Sequence, residues 1–205
     1  MFYKVIYFIF KIFAFVFHGY KSYGTENLPL DGAFILCANH VSILDPFYMA
    51  ISIKKRMVRF MAKKELFFFG MKQFVTALGA FKVDRGKTDI TAIKTAISVL
   101  KSGGILGIFP EGTRNDNDAD MQAKAGIAML CNRTKSTVVP GRIFQKKRFC
   151  WFKKITVVIG ESIPYETLNF GDGKSEDIQR VADEIFEIIK GISKPVKSKN
   201  KTAKG

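Results

Sequence analysis

The sequence has few of the residues that build covalent or metal-bound frameworks. Its three cysteines, Cys37, Cys131 and Cys150, are an odd number at wide spacing. This excludes a full disulfide framework and a CxxC-type zinc site, and it is typical of a reducing compartment. Acidic residues are also scarce, with 18 Asp+Glu against 33 Lys+Arg. The net charge of +15 predicts an acidic partner, which is nucleic acid, an anionic membrane or a phosphorylated substrate.

Length and composition indicate one folded domain. The 205 residues suffice for a single compact domain, and six prolines without a low-complexity tract leave no room for a long linker. With 47% hydrophobic and 25% charged residues, the composition is globular rather than disordered. We divide the chain into a membrane-associated helix at 1–20, a folded domain at 21–193 and a basic tail at 194–205, predicted to be disordered.

The N-terminal segment is an apolar and aromatic run. Between Phe2 and Phe17 only Lys4 and Lys11 are polar. These 16 residues span about 24 Å as a helix, short of the roughly 30 Å hydrocarbon core, which argues against a simple transmembrane span. Lys11 and the lack of a small-x-small cleavage site argue against a signal peptide. The pattern favours a helix set into one leaflet with lysines at the headgroups, and the alternative is a buried first helix of the core.

Basic clusters favour a membrane surface as the acidic partner. We expect a peripheral or monotopic protein on the cytoplasmic face of the cell membrane, docked on anionic lipid. Interleaved aromatic residues would also suit nucleic acid, but no nucleic-acid module is recognisable, so no nucleic-acid partner is expected. The clusters are Lys54, Lys55, Arg56, Arg59, Lys63 and Lys64; Arg142, Lys146, Lys147, Arg148, Lys153 and Lys154; and Lys190, Lys194, Lys197, Lys199, Lys201 and Lys204.

Short apolar runs alternate with helical patterns along the rest of the chain. This alternation predicts an α/β fold, a single sandwich domain whose mainly parallel or mixed sheet is flanked by helices. Two helices are predicted, one with Thr88 as N-cap that ends at Gly103-Gly104, and one from Ser175 as cap to Gly191. The strand candidates are Ala33–Ala38, Met57–Met61, Phe81–Val83, Ile105–Phe109, Thr137–Val139 and Ile155–Ile159.

The first of these runs leads directly into a histidine and an aspartate. His40 and Asp45 are five positions apart, so one helical face cannot carry both. Asp45 before Pro46 predicts an N-cap with the helix beginning at Pro46, which places His40 in the preceding loop. The imidazole can then fold back onto the carboxylate through Nδ1–H and leave Nε2 as a base. The nucleophile would be Ser42 or a hydroxyl of the substrate.

Two other predicted strands end in an arginine beside a glycine. The strand 105–109 is followed by Pro110 to Arg114, and the strand 81–83 by Asp84-Arg85-Gly86. Ligands of open α/β sheets lie at the carboxyl ends of strands. Gly112 permits close backbone approach, and Arg114 offers a bidentate fork for phosphate. Each segment alone would suit an ordinary turn, but two beside a His–Asp pair favour a site for an anionic ligand.

These segments resemble the motifs of the glycerolipid acyltransferase family, specifically its bacterial 1-acylglycerol-3-phosphate acyltransferases. The likeness runs from about Tyr20 to Ile163, with the motifs in the family's order and spacing. Asn39-His40-x-Ser42-x-x-Asp45 is similar to the first motif and Lys82-Val83-Asp84-Arg85 to the second. Phe109-Pro110-Glu111-Gly112-Thr113-Arg114 is similar to the third and Val138-Val139-Pro140 to the fourth, with a Lys124-Ala125-Gly126 segment between them.

The resemblance implies an enzyme that transfers a fatty acyl group from a thioester to the 2-hydroxyl of 1-acylglycerol-3-phosphate (lysophosphatidic acid), making phosphatidic acid for phospholipid synthesis. The thioester, acyl-CoA or acyl carrier protein, is a co-substrate, and no metal or bound cofactor is expected. The resemblance implies that His40 and Asp45 are catalytic. It implies substrate-binding roles for Arg85, Glu111, Gly112, Thr113 and Arg114, and supporting roles for Asn39, Ser42, Lys82, Lys124 and Pro140.

Two other classes of function stay open at this point. One is an acyltransferase of the same family that acts on another lysolipid or on glycerol-3-phosphate. The other is a non-catalytic basic protein that binds membrane or RNA, against which the intact His40 and Asp45 argue. The segment Leu66 to Phe69 is a candidate wall for an acyl chain, with a plain core or membrane contact as the alternative.

Overall fold

The computed structural model describes residues 2–53, 56–68, 70–84, 89–112, 123–145 and 154–195. This part of the chain contains the helices α1 (Phe2–His18), α2 (Asp45–Ser52), α3 (Met71–Ala77), α4 (Ile90–Lys101), α5 (Gly126–Thr134) and α6 (Ser175–Gly191). Its strands are β1 (Lys21–Tyr23), β2 (Phe34–Ala38), β3 (Val58–Lys63), β4 (Phe81–Val83), β5 (Ile105–Ile108), β6 (Thr137–Phe144) and β7 (Thr156–Ile159).

The strands form one mixed sheet in the order β1-β7-β6-β2-β5-β3-β4. All neighbours are parallel except β6 and β7, which are antiparallel. Phe34 of β2 is in register with Ile105 of β5 on one side and with Thr137 of β6 on the other. The central strands therefore end at the same edge of the sheet, and the loops that follow β2 and β5 meet there. The predicted α/β sandwich with a mixed sheet is confirmed.

Hydrophobic layers cover both faces of the sheet. Ile35 and Cys37 of β2 pack with α4, α5 and α6, whereas Phe34, Leu36 and Ala38 pack with α1 and α2. Every residue of β2 is buried, because the strand is covered on both sides. This two-sided burial is the reason that β2 appears in the sequence as a continuous apolar run rather than as an alternating one.

Several elements differ from the sequence prediction. β1, α3 and α5 were not predicted, and β6 continues through Pro140 and Gly141 to Phe144 because it gains β7 as an antiparallel neighbour from Gly141 onward. Asp89 caps α4 by accepting the Ala92 amide at 3.0 Å, in place of Thr88, which lies outside the described residues. α6 begins at Ser175 itself, after Lys174, without a side-chain cap.

The N-terminal helix α1 has two unlike faces. Ala14 and His18 are buried against the rest of the domain, so the alternative of a core helix holds for this face. The opposite face exposes seven large apolar side chains, Phe2, Val5, Phe8, Ile9, Ile12, Phe15 and Val16, between 48% and 71% exposed. No helix in the described part of the chain combines the length and the apolar character needed to cross a bilayer.

Three arginines of the predicted basic clusters bond to the backbone of the fold. Arg56 donates to the carbonyls of Gly32 and Gly103, Arg59 to that of Gly79, and Arg142 to those of Lys190 and Ile192. These contacts join separate segments, so the three arginines stabilise the tertiary structure in addition to charging its surface. Lys54, Lys55, Lys146, Lys147, Arg148, Lys153 and the tail from 196 lie outside the described residues.

Candidate active site

The loop after β2 holds His40 against Asp45. Nδ1 of His40 lies 2.9 Å from Oδ2 of Asp45, and both side chains are buried. An ionised carboxylate only accepts hydrogen bonds, so Nδ1 carries the proton in this pair and Nε2 keeps its lone pair. The arrangement supplies a base whose orientation is set by a buried anion.

The carboxylate of Asp45 does not cap α2 in the predicted way. The helix begins at Asp45 rather than at Pro46, Leu44 occupies the N-cap position, and no side-chain cap is present. Oδ2 of Asp45 turns back to accept the amides of Val41 at 2.6 Å and Ser42 at 2.7 Å. The predicted cap was wrong because three loop donors, including the imidazole, outcompete the helical amides for this carboxylate.

Ser42 makes hydrogen bonds within the same loop. Its hydroxyl oxygen accepts the Leu44 amide at 3.3 Å, while its own amide donates to Asp45. The hydrogen bonds of the described residues include none between the Ser42 hydroxyl and His40. Of the two nucleophiles considered from the sequence, a hydroxyl of the substrate therefore fits the geometry better.

Glu111 supports the backbone of the histidine. Its Oε1 accepts the amide of His40 at 3.1 Å, and the side chain is buried. The resemblance implies a substrate-binding role for Glu111, which stays a prediction, and this hydrogen bond in addition joins the loop after β5 to the loop after β2. The parallel register of β2 and β5 brings the two loops together.

Gly112 and Lys124 lie against each other beside this contact. Gly112 has φ +70°, and a Cβ there would stand 2.9 Å from Cδ and Cε of Lys124 and 3.0 Å from Nζ. Only glycine suits both the left-handed backbone and the close lysine stem. The exposed Lys124 ammonium group therefore lies at the turn that follows β5.

An aromatic stack supports the imidazole ring. His40 and Phe109 lie parallel with ring centroids 4.2 Å apart, and Phe60 continues the stack at 5.7 Å from Phe109. A Cβ at Gly107 would stand 2.2 Å from the Phe60 ring, so the glycine in β5 makes room for the stack. The sequence analysis assigned no role to Phe60 or Gly107, because their proximity depends on the pairing of β3 with β5.

An apolar cavity of about 290 Å³ begins at His40. α1, α2, α3 and β3 form its walls, and Phe109 lies at the histidine end. Leu66 of the predicted acyl-chain wall lines this cavity, while Phe68 is 60% exposed and Phe69 lies outside the described residues. The inner face of α1 contributes Tyr3, Ile6, Tyr7 and Phe10, so the N-terminal helix is part of the cavity wall.

The remaining predicted site residues lie at varied distances from this cluster. Asn39 is buried next to His40 and bonds the backbone of Ile143. Pro140 is buried in β6 opposite Cys37, and Lys82 is exposed on the edge strand β4. Arg85, Thr113 and Arg114 lie outside the described residues.

One further contact at the site was not predicted from the sequence. Gln145 donates from Nε2 to Oδ1 of Asp45 at 3.2 Å, and the two residues are 100 positions apart, so no local pattern joins them.

Comparisons with known proteins point to one family. A family model described as Acyltransferase matches residues 19–143. The chain is 38% identical over 125 residues to a 1-acyl-sn-glycerol-3-phosphate acyltransferase of Bacillus subtilis, covering 60% of this chain and 61% of that protein. It is 39% identical over 123 residues to the protein of the same name from Streptococcus pneumoniae, covering 58% and 44%.

A solved structure shows the same fold. The crystal structure of the 1-acyl-sn-glycerophosphate (LPA) acyltransferase PlsC from Thermotoga maritima superposes with a TM-score of 0.63 at 26% identity. The superposition covers 83% of this chain and 69% of that one. The chain spans less than two thirds of the length of the two bacterial sequence relatives.

Proposed function

Because the chain belongs to the acyltransferase family, we propose that it transfers a fatty acyl group from a thioester to the 2-hydroxyl of 1-acylglycerol-3-phosphate, making phosphatidic acid for phospholipid synthesis. One observation carries the proposal. The oriented base His40 stands on the wall of an apolar cavity, which is the arrangement needed to activate a hydroxyl beside a lipid chain. The names of the sequence relatives support the choice of acceptor.

The chemistry follows from the geometry of the His40–Asp45 pair. Nε2 of His40 takes the proton from the 2-hydroxyl as its oxygen attacks the thioester carbonyl carbon. The carbon–sulfur bond then breaks, and the imidazolium returns the proton to the departing thiolate, so that a thiol and an ester are the products. The anion of Asp45 stabilises the imidazolium between these two steps. No metal or bound cofactor takes part in this scheme.

The oxyanion of the tetrahedral intermediate needs hydrogen-bond donors. Backbone amides at the start of α2 and at Gly112 lie near His40 in the sequence motifs and are the first candidates. The Phe47 and Tyr48 amides donate to the Leu44 carbonyl, and the Gly112 amide donates to that of Phe109. Because these three amides already have acceptors, we propose that other donors bind the oxyanion.

Positive charge at the turn after β5 suits the acceptor's phosphate. Lys124 contributes an ammonium group beside Gly112, and we assign Arg85, Thr113 and Arg114 to the same phosphate on the strength of their motifs. Anchoring the phosphate there holds the 2-hydroxyl near His40, which converts the reaction into an intramolecular one. The net charge of +15 attracts either donor, since acyl-CoA and acyl carrier protein are both acidic.

The outer face of α1 suits attachment to a membrane. Its seven exposed apolar side chains are accompanied by the exposed Lys4 and Lys11, which would reach the headgroups. The inner face lines the apolar cavity, so a lipid acceptor could enter from the bilayer directly into the site. We propose peripheral or monotopic attachment to the cytoplasmic face of the cell membrane, where both thioester donors occur.

Product analysis tests the proposed reaction. The purified protein is offered a panel of lysolipids and glycerol-3-phosphate with palmitoyl-CoA or palmitoyl-acyl carrier protein, and products are identified by mass spectrometry. We expect phosphatidic acid from 1-acylglycerol-3-phosphate, lost in His40→Ala and retained in Gln73→Ala, an exposed amide on α3. If products form only from another lysolipid, the acceptor in the proposal is wrong. If no acyl product forms from any pair of substrates, the proposal is overturned.

Liposome flotation tests the membrane assignment. A triple variant, Phe8→Ser, Ile12→Ser and Phe15→Ser, removes apolar side chains that are 49% to 71% exposed, so the melting temperature should change little while flotation on anionic vesicles is lost. The matched variant Phe10→Ser lies on the inner face, against Phe47 and Tyr48, and should lower stability instead. If the triple variant floats as well as the parent protein in high salt, the outer face of α1 is not the anchor.

A further inference from the structure

The end of β6 contributes an amide to the catalytic pair. Nε2 of Gln145 lies 3.2 Å from Oδ1 of Asp45, the oxygen that does not bond to His40. The other oxygen, Oδ2, accepts from His40, Val41 and Ser42. The two oxygens thus receive donors from two separate parts of the chain, the loop after β2 and the end of β6.

Asn39 fixes the distance between those two parts. Its side-chain amide donates to the carbonyl of Ile143 at 3.1 Å and accepts the amide of the same residue at 2.7 Å. Asn39 is one residue before His40, and Ile143 is two residues before Gln145, so this pair of hydrogen bonds lies next to both residues. It extends the β2–β6 ladder beyond Ala38, so Gln145 reaches Asp45 from a braced position.

We propose that Gln145 is a positioning residue, which acts on His40 through Asp45 in the reaction proposed above. Rotation of the carboxylate about its Cβ–Cγ bond would carry Oδ2, the partner of Nδ1–H, away from the imidazole plane. The three donors to Oδ2 oppose this rotation from the loop after β2, and the Gln145 amide opposes it at Oδ1 from the end of β6.

The charged and titratable surroundings of Asp45 determine what a substitution does. His40 faces it from the loop, and Tyr48 faces it from three residues further along α2, where burial and the negative charge of Asp45 raise the pKa of the phenol. Glu111 approaches from the loop after β5 and bonds the His40 amide. Gln145 donates to Asp45 through a side-chain amide, so replacing it with glutamate places a second acid next to Asp45.

Two variants separate hydrogen bonding from shape. Gln145→Ala removes the donor, and we expect kcat to fall about five- to thirtyfold with KM within about twofold of the parent value. Gln145→Glu keeps the shape and donates only while the pair of carboxyls shares a proton. Its kcat should approach the parent value at low pH and fall below that of Gln145→Ala as pH rises and both acids ionise.

Gln179→Ala is the matched control. Gln179 is half-buried on α6, and its Nε2 also donates to a carboxylate, that of Asp183 at 2.9 Å, and to the carbonyl of Ala123 at 3.0 Å. Its kcat and pH profile should equal those of the parent protein. If Gln145→Glu matches the parent protein at every pH, or Gln145→Ala changes kcat no more than Gln179→Ala does, the proposal is overturned.

A second measurement needs no turnover. The chain has two histidines, so ¹⁵N-histidine NMR gives two ring systems that His18→Gln assigns. In the parent protein His40 should be the Nδ1–H tautomer, and both Gln145 variants should shift its ring nitrogens toward a tautomer mixture. Unchanged His40 signals overturn the proposal even if the protein is active, and a shift supports it even if no acyl transfer is found.

Discussion

The two histidines of this chain make the same kind of contact with the same helix and yet serve different ends. His40, in the loop after β2, bonds through Nδ1 to Asp45, and His18, at the end of α1, bonds through Nδ1 to the hydroxyl of Tyr48 at 2.7 Å. Both partners lie in the first turn of α2, and both histidines are buried, 7% and 3% exposed. Position and burial alone therefore do not distinguish them.

The chemistry of the partner makes the difference. Asp45 only accepts, so Nδ1 of His40 holds the proton and Nε2 is left as a base at the apolar cavity. Burial raises the pKa of the Tyr48 hydroxyl, which therefore keeps its proton and shares a neutral hydrogen bond with Nδ1 of His18. His18 lies where α1 meets β7, its carbonyl accepting the Ile155 amide. The carboxylate partner therefore leaves His40 able to act as a base, whereas the phenol partner of His18 makes a hydrogen bond that connects α1 to α2.

The largest effect should come from His40→Ala. Acyl transfer should fall about ten thousandfold or more, because the base is lost, as measured by initial rates of phosphatidic acid formation. Loss of the stack on Phe109 should lower the free energy of unfolding by about 1 kcal/mol, so the variant should remain folded. If His40→Ala kept nearly the turnover of the parent protein, His40 would not be the base, and it would not differ from His18 in function.

The next largest effect should come from Asp45→Asn, compared with Asp89→Asn. Asparagine keeps the size of the side chain but not the charge, so we expect a loss of about a thousandfold or more in kcat. Asp89 also stands at a helix start, where it accepts the Ala92 amide, and its replacement should leave kcat unchanged. Equal losses in both variants would mean that kcat depends on a negative charge at a helix start in general, rather than on support of the imidazole by Asp45.

His18→Ala should reverse the pattern of His40→Ala. It leaves the buried Tyr48 hydroxyl without its hydrogen-bond partner on α1 and opens a gap beneath this helix, costing about 2–4 kcal/mol of unfolding free energy. The folded fraction should keep kcat within about threefold of the parent value. Urea denaturation and rates per folded molecule separate these quantities, and a loss of kcat as large as that of His40→Ala would contradict a structural role.

The smallest effect concerns pH. Burial lowers the pKa of His18 below its usual 6.5, so the unfolded chain takes up this proton before the folded protein does. The associated stability is complete above pH 6.5 and is lost as pH falls from there through the lowered pKa. Denaturation midpoints measured between about pH 7.5 and 5 should decline less in His18→Gln than in the parent protein. An identical decline would show that His18 does not contribute to it.

Local signals in the sequence predicted several elements of the fold. The apolar run of β2, the helical spacing of α4 and α6 and the His40-x4-Asp45 segment are all local, and each corresponds to a structural element or contact. The short strand β1 and the helix α3 gave no such signal. β1 is three residues long and is held by β7, from a distant part of the chain.

The candidate site divides in the same way. Its chemical groups, the histidine with its aspartate and the glycine turn after β5, follow strand ends and are visible in the sequence because turns and motifs are local. The contacts that hold these groups in place are not visible in the sequence. The Glu111 bond to the His40 amide, the Phe60–Phe109–His40 stack and the Gln145 bond to Asp45 join residues that are distant along the chain.

By itself the sequence determined the fold class, the family and the residues of the motifs, because hydrophobic period, charge and motif spacing depend on neighbours along the chain. The tertiary structure decided which way the Asp45 carboxylate turns, since its donors come from a loop and from the end of β6. It also decided that α1 is both a cavity wall and an exposed apolar face. The apolar run of α1 shows that this helix has apolar surface to bury, but only the packing of α2 against α1 determines which face of the helix is buried in the protein.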